Sequence, residues 1–274
     1  MQFGQWILFA DLDGTVLDRV TYEPGVAMEA LEWCQKAGIP VILNSSKTRA
    51  EMEFFYERFP ILPGTPFISE NGGGVFFPAE YWDNPPGAEK MGGYWKVTLG
   101  AEHTILLRIL KNTVERLQLD VRLFSEMTLE EIAAMTGLPL EQAGLARERE
   151  FDEPFWFGEE KASGLETLER EILQQGMHLT RGGRCFHVHG KSDKGNAARF
   201  VLGLYREKVT EPFSSAGVGD AANDLPLFQE VDRAYLVQRE DGSYDPAIPE
   251  GQGIVFLKGY GPLGFRKAVE DLRR

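Results

Sequence analysis

Short apolar runs alternate with helix-like segments towards both ends of the chain. The run Trp6–Ala10 predicts a buried strand, the helical spacing of apolar residues from Val26 to Ala37 predicts a helix, and Ile39–Leu43 predicts the next strand. Three later runs have the same strand character: Ser215–Val218, Ala234–Val237 and Ile254–Leu257. This alternation predicts an α/β fold, a Rossmann-like doubly wound parallel sheet with helices on both faces.

The pattern changes between about residues 85 and 189. The stretch Asn84–Gly87 has the composition of a linker, and the strand-like and helix-like segments beyond it lose the regular alternation. Gly182 and Gly183, between two short apolar runs, predict a two-residue hairpin turn. We therefore predict a catalytic core made of residues 1–84 and 190–274, with residues 85–189 inserted as an α+β cap.

The net charge of the chain limits the classes of molecule that it can bind. A formal net charge of −13 argues against nucleic-acid binding, because no basic surface is implied. A local cluster of Lys, Arg and metal can still reverse the field inside one cleft, so an anionic small molecule is compatible. The two cysteines form no C-x-x-C pair, and neither a signal segment nor a membrane-length apolar run is evident. We expect a cytoplasmic protein with no membrane contact; the oligomeric state is open.

Two carboxylates stand directly after the first predicted strand. Asp11 and Asp13 precede the turn residue Gly14, at the mouth of a buried strand where capping alone explains them poorly. One such carboxylate can serve as a nucleophile and the other as a general acid and base, and both can contribute oxygen to Mg²⁺. The pair predicts phosphoryl transfer, with Asp11 as the nucleophile and Asp13 as the acid and base.

A second acidic cluster follows a strand in the last third of the chain. Asp220 stands at the carboxyl end of that strand, the edge at which ligands bind in open parallel sheets. We expect it to complete Mg²⁺ coordination with Asp11 and a backbone oxygen near Asp13. Asn223 and Asp224 can ligate through water or orient the nearer ligands, or they can simply cap the next helix.

Two further segments supply candidates for phosphate binding. Ser45, Ser46 and Lys47 stand between a predicted strand and a helix with a capping-box start, where a hydroxyl and free N–H groups meet. Ser45 is favoured over Ser46 to hold the transferring oxygen, and an ordinary polar turn is the alternative. Lys194, at the start of a later helix, is favoured over Lys191 to neutralise the phosphate and the nucleophile.

Substrate contacts are expected from the cap and from one core turn. Arg181 and Arg184 flank the predicted hairpin turn, so they should be cross-strand neighbours able to capture a carboxylate or phosphate; a charged hairpin tip is the alternative. His187 is expected to contact substrate or to pack, and not to bind metal. The full set of candidate substrate-binding residues is Ser46, Lys47, Asn71, Arg181, Gly182, Gly183, Arg184 and His187.

Four segments together resemble a known family. The four motifs of the haloacid dehalogenase-like phosphatases resemble, in order, the segments Asp11–Thr15, Ser45, Lys194–Gly195 and Gly219–Asp224. The predicted cap between the second and third segments resembles the cap of the Cof-type branch of that family. The resemblance implies an aspartyl-phosphate mechanism with Mg²⁺ as cofactor. It implies a catalytic set of Asp11, Asp13, Ser45 and Lys194 and a metal shell of Asp11, Asp13 and Asp220. Asn223 and Asp224, from the acidic cluster itself, complete the set of metal-site candidates.

Finer features narrow the resemblance. The sequence is similar to the branch that acts on mannosyl-3-phosphoglycerate in four segments: Ser45–Arg49, Ser69–Gly73, Gly182–Arg184 and Gly219–Pro226. This similarity implies a phosphorylated sugar–glycerate as substrate. It implies mannosylglycerate, a compatible solute, as product. The charged segment Leu129–Glu153 matches nothing assigned to substrate. The alternatives are a phosphatase of glucosyl-3-phosphoglycerate, sucrose phosphate or trehalose phosphate, a phosphomutase, or a non-catalytic phosphosugar-binding protein.

Overall fold

The computed structural model describes residues 5–157, 162–181, 185–251 and 253–274. The strands in this part of the chain, numbered β1 to β13 in order, are Trp6–Ala10, Val41–Leu43, Phe67–Ser69, Gly74–Pro78, Ala88–Met91, Tyr94–Thr98, Val121–Leu123, Asp152–Phe157, His178–Arg181, Phe186–His189, Ser214–Gly219, Arg233–Gln238 and Ile254–Tyr260. The helices, α1 to α9, are Ala27–Lys36, Arg49–Tyr56, His103–Leu117, Leu129–Thr136, Leu140–Arg147, Ala162–Gln174, Lys194–Lys208, Leu225–Phe228 and Pro262–Leu272. Within the described ranges, none of these helices has the length and apolar character that a bilayer crossing requires.

A five-stranded parallel sheet forms the core, in the order β13-β12-β11-β1-β2. The inner strand β1 lies between β11 and β2, and its successive side chains point to opposite faces of the sheet, where helices bury both sets. Leu8 and Ala10 pack with α1 and α9, whereas Ile7 and Phe9 pack with α7. The fold class predicted from the sequence, an α/β protein with a doubly wound parallel sheet, is confirmed.

An antiparallel sheet, in the order β3-β4-β6-β5, extends from this core. It meets the parallel sheet where Asn44, just after β2, bridges to Ile68 of β3. Strands β5 and β6 follow the boundary predicted at residue 85, yet they pair with β4 through β6. The division into core and cap stays a prediction, and the strand pairing leads us to propose that the cap begins near Leu99.

A second antiparallel sheet, in the order β7-β8-β10-β9, is covered by α3 and α6. Arg181 of β9 pairs with Phe186 of β10, so the predicted two-residue turn and the predicted Arg181–Arg184 pairing are wrong. Phe186 is also the cross-strand partner of Phe155 in β8, and the two rings stack with centroids 5.6 Å apart. Residues 182–184, which include Gly182 and Gly183, lie outside the described residues.

One glycine lets the turn after β3 approach helix α7 closely. Gly72 has φ +92°, and a Cβ there would lie 2.1 Å from the carbonyl oxygen of Asp193. Asp193 is the N-cap of α7, and its side chain accepts the Asn196 N–H. Because α7 begins with Lys194, this contact fixes the position of a candidate catalytic residue.

Replacing this glycine should therefore be costly. Gly72→Ala is expected to lower the free energy of unfolding by about 3 kcal/mol, since a left-handed backbone and the overpacking against Asp193 both oppose it. Gly92→Ala is the matched control, because Gly92 also has positive φ (+55°) but no atom within 4 Å of the added Cβ. The control should lose only about 1 kcal/mol. Urea denaturation measures both, and equal losses would contradict the close approach.

Candidate active site

The carboxyl ends of neighbouring parallel strands bring three acidic residues together. The Asp11 N–H, just after β1, donates to the Val218 carbonyl of β11 at 3.0 Å, and Asp220 directly follows β11. Asp11, Asp220 and Asp224 each present an oxygen, and these atoms all lie within 4.8 Å of one another. All three residues are buried. The site therefore concentrates negative charge at the sheet edge where open α/β folds bind ligands.

A buried ammonium group offsets part of this charge. Lys194 Nζ donates to Asp11 Oδ1 and to Asp224 Oδ1, both at 2.6 Å. Burial alone would lower the pKa of Lys194, but the two carboxylates outweigh it and raise the pKa. Lys194 is therefore charged at neutral pH and bridges the two acidic residues.

Asp224 fixes the loop that carries Asp220. Its Oδ2 accepts the N–H groups of Asp220 and Ala221, both at 3.1 Å. A Cβ on Gly219 would lie 2.2 Å from the Asp224 carboxyl carbon, so the loop requires glycine there. Helix α8, which follows Asp224, draws no side-chain cap from it. Of the two roles weighed for Asp224, the structure places it among the acidic residues rather than at the cap.

The acidic cluster fits a divalent cation. Burial, and then the charge of Asp11, raise the pKa of Asp220 to about 8, so ionising Asp220 beside Asp11 is unfavourable unless positive charge joins them. The half-exposed Arg19 guanidinium supplies part of this positive charge, because it donates to Asp220 Oδ2 at 3.0 Å and to the Asp13 carbonyl at 3.3 Å. Carboxylate and carbonyl oxygens suit Mg²⁺. Asp11, Asp220 and the Asp13 carbonyl are the groups that would hold it.

The Asp13 side chain points away from this cluster. Its Oδ2 lies 3.2 Å from Lys47 Nζ, which Glu51 holds from the other side at 3.1 Å. Its Oδ1 is buried and has no hydrogen-bond partner among the described residues. Burial raises the pKa of Asp13, against the opposing effect of Lys47. A carboxyl group whose proton is held more tightly suits a proton donor better than a metal ligand.

The predicted phosphate loop lies beside Asp13. Ser45 is buried just after β2, and its Oγ accepts the Lys47 N–H at 3.3 Å. The capping box predicted at the start of α2 is present: Thr48 Oγ1 accepts the Glu51 N–H and Glu51 accepts the Thr48 N–H. The same Glu51 carboxylate holds Lys47, so the helix cap also positions the loop's cation.

Between core and cap lies a cleft of about 400 Å³. Of the predicted substrate-binding residues, Ser46, Lys47 and His187 line it, together with Asp13. Arg181 is exposed on the edge strand β9 and does not line the cleft. Asn71 instead accepts a hydrogen bond at 3.0 Å from the exposed Asn223, so neither of these two joins the acidic cluster. The remaining predicted substrate-binding residues, Gly182, Gly183 and Arg184, lie outside the described residues.

Sequence reasoning missed Arg19, Arg149 and Asp152. Arg19 and Arg149 line the cleft, and Asp152 is buried behind it, where it accepts the His187 Nδ1 hydrogen bond at 2.7 Å. These residues belong to no motif. Packing of the cap on the core brings Arg149 and Asp152 to the site, whereas Arg19 lies in the core after β1 and contacts Asp13 and Asp220 there. The run Arg147–Glu150 was the available signal, because clustered charges in an otherwise unassigned segment need partners.

Known proteins match this chain closely. Residues 8–83 match the family model of haloacid dehalogenase-like hydrolases. Over 267 residues the chain is 36% identical to the glucosyl-3-phosphoglycerate/mannosyl-3-phosphoglycerate phosphatase of Methanococcoides burtonii, covering 97% of this chain and 96% of that protein. Over 231 residues it is 35% identical to the mannosyl-3-phosphoglycerate phosphatase of Pyrococcus furiosus, covering 84% and 90%.

A solved structure shows the same fold. A phosphatase of the haloacid dehalogenase superfamily from Bacteroides thetaiotaomicron matches with a TM-score of 0.64 and 17% identity, over 99% of this chain and 96% of that one. The chain belongs to the haloacid dehalogenase-like hydrolases, and it is a phosphoric monoester hydrolase. Its full-length relatives are named for glycosylated 3-phosphoglycerates, and the resemblance inferred from the motifs is confirmed.

The buried ion pairs generate a prediction about stability. Lys194→Met is expected to lower the free energy of unfolding by about 3–5 kcal/mol in EDTA, because it leaves Asp11 and Asp224 buried without their cation. Lys191→Met is the matched control, since Lys191 is exposed and should change stability by no more than about 0.5 kcal/mol. Urea denaturation of both variants is the measurement. A similarly small loss in both would show that Lys194 does not neutralise the cluster.

Proposed function

We propose that this protein is a Mg²⁺-dependent phosphatase that hydrolyses mannosyl-3-phosphoglycerate to mannosylglycerate and phosphate, with glucosyl-3-phosphoglycerate as a second substrate. The observation that carries the proposal is the buried Asp11, in contact with Lys194 and two residues before Asp13, which lines a cleft that also contains cationic side chains. The names of the full-length relatives support the substrate.

The first step uses Asp11 as the nucleophile. One of its carboxylate oxygens attacks phosphorus, the new O–P bond forms an aspartyl-phosphate, and the bond to the sugar–glycerate oxygen breaks. Burial raises the pKa of Asp11, and the Lys194 ammonium opposes that rise and so favours the carboxylate form that a nucleophile needs. Ser45, buried in the loop after the neighbouring strand β2, donates its hydroxyl to a phosphate oxygen.

Asp13 carries the protons of both steps. It donates a proton to the leaving oxygen in the first step and takes one from water in the second, when water displaces Asp11 from phosphorus. Its raised pKa and its contact with Lys47 suit this exchange. Mg²⁺, when bound, supplies charge neutralisation for the phosphoryl oxygens.

The cleft matches a substrate with an anionic part and a sugar part. Lys47 and Arg149 supply positive charge in a protein of net charge −13. Further along the same cleft, Trp156 stacks on Phe124 with ring centroids 5.9 Å apart. Aromatic faces of this kind are suited to the apolar face of a sugar ring.

A phosphate-release screen tests substrate and metal together. We expect release from mannosyl-3-phosphoglycerate and glucosyl-3-phosphoglycerate at least ten times faster than from sucrose phosphate, trehalose phosphate or common hexose phosphates, and loss of release in EDTA with recovery on adding Mg²⁺. Transfer of the phosphoryl group back to sugar without free phosphate would identify a phosphomutase. Full activity in EDTA would exclude the metal.

The nucleophile is tested by replacing it with its amide. Asp11→Asn is expected to reduce kcat at least about 10³-fold with mannosyl-3-phosphoglycerate, since an amide cannot form the acyl phosphate. Asp120→Asn, an exposed change of the same chemistry in the cap, should leave kcat unchanged. Quenched-flow trapping of phosphoprotein should succeed with the native chain and fail with Asp11→Asn. Undiminished turnover would rule out Asp11 as the nucleophile and favour another catalytic mechanism.

A further inference from the structure

Arg149 projects into the cleft from the cap segment that no motif explains. Its side chain is only 11% exposed. Nε donates to the Ala146 carbonyl at 3.0 Å and Nη1 donates to the Ser46 carbonyl at 2.9 Å, so the guanidinium is fixed against the loop that carries Ser45. No described residue accepts a hydrogen bond from Nη2. A fixed guanidinium with a donor left over is a recognition group for an oxyanion.

His187 adds a second positive charge on the same wall. Its Nδ1 hydrogen-bonds Asp152 Oδ2 at 2.7 Å, whereas Arg149 lies farther from that oxygen, at 3.5 Å. Burial would lower the pKa of His187, but Asp152 raises it to about 10, so the ring is an imidazolium at neutral pH. Asp152 therefore pairs with His187 more closely than with Arg149, and Glu51 and Glu70 act on the Arg149 charge without forming an ion pair with it.

We propose that Arg149 and His187 form a second anion subsite, which binds the carboxylate of the substrate while Asp11, Ser45 and Lys194 act on its phosphate. This inference rests on the proposed function. In a 3-phosphoglycerate ester the carboxyl carbon is two carbons away from the ester oxygen. When Asp13 protonates that oxygen, the carboxylate extends into the cleft beside Asp13, where Arg149 and His187 line the wall.

The subsite explains a specificity that phosphate binding cannot. Sucrose phosphate and hexose phosphates have a phosphate but no carboxylate, so they leave the buried Arg149 with a donor that no substrate group accepts from. A site built to pair a charged group rejects an analogue that lacks it. The exposed Arg181, which the sequence suggested for this role, has no such enclosure.

The test compares two substrates that differ only in this group. They are mannosyl-3-phosphoglycerate and its carboxyl-reduced analogue, in which CH₂OH replaces the carboxylate. The native chain should prefer the carboxylate by about 10²-fold in kcat/KM, and Arg149→Gln should remove most of that preference through KM for the carboxylate alone. Arg149→Lys should restore part of it. Arg147→Gln, an exposed change two residues away, should leave the preference intact.

Alkylation of Cys185 gives a readout without turnover. Cys185 Sγ lies 3.2 Å from His187 Nε2 in the cleft, and the other cysteine of the chain, Cys34, is buried. Here 3-phosphoglycerate should slow labelling by iodoacetamide in the native chain and in Arg147→Gln, but not in Arg149→Gln. Inorganic phosphate should protect none of them.

The outcomes separate this inference from the proposed function. The subsite is wrong if the native chain releases phosphate but Arg149→Gln lowers kcat/KM equally for both substrates. It is also wrong if Arg149→Gln keeps the native preference for the carboxylate. Either result would leave the proposed phosphatase activity intact. Absence of release from every ester, with protection of Cys185 still dependent on Arg149, would overturn the proposed function and leave the subsite intact. Should Arg149→Gln fail to fold, Arg149→Lys and His187→Gln make the same comparison.

Discussion

The whole site depends on the buried ammonium group of Lys194 between Asp11 and Asp224. Each of these residues comes from a different part of the chain: the end of β1, the start of α7 and the loop after β11. Because no bulk water reaches the ammonium group, it is stable only while both carboxylates contact it. This requirement fixes the relative positions of the three elements to within a hydrogen-bond length. It explains the close approach of Gly72 to the start of α7 and the need for glycine at position 219.

Most of the core and of its chemistry could be predicted because local signals determine them. Strand β1 is a continuous apolar run, and Asp11 follows it at the sheet edge, so parallel pairing with β11 was enough to place Asp220 nearby. The capping box at Thr48 and the N-cap at Asp193 are likewise properties of a few consecutive residues. Where neighbouring residues decide the structure, sequence patterns are informative.

The cap could not be predicted to the same depth because its residues are selected by tertiary packing. The two glycines suggested that Arg181 faces Arg184 across a tight turn, but the strand partner of Arg181 is Phe186, whose ring stacks on Phe155 of β8. Strands β5 and β6 have ordinary strand patterns, and nothing in those patterns says that β6 pairs with β4. Arg149 depends on an acceptor about a hundred residues away in the chain, the Ser46 carbonyl. The spacing of residues along the sequence does not predict a contact of this kind.

The contacts between cap and core also link the position of the cap to the catalytic loop. The buried Glu70 carboxylate accepts the N–H groups of Glu150 and Phe151, both at 2.9 Å, and Thr48 Oγ1 donates to the Leu145 carbonyl at 2.9 Å. These bonds all involve the short segment that also delivers Arg149 to Ser46. Moving this segment away from the core would leave Glu70 buried without donors and would withdraw the guanidinium from the loop beside Ser45. Cap docking and assembly of the anion-binding cleft are therefore one event, because the same few residues perform both.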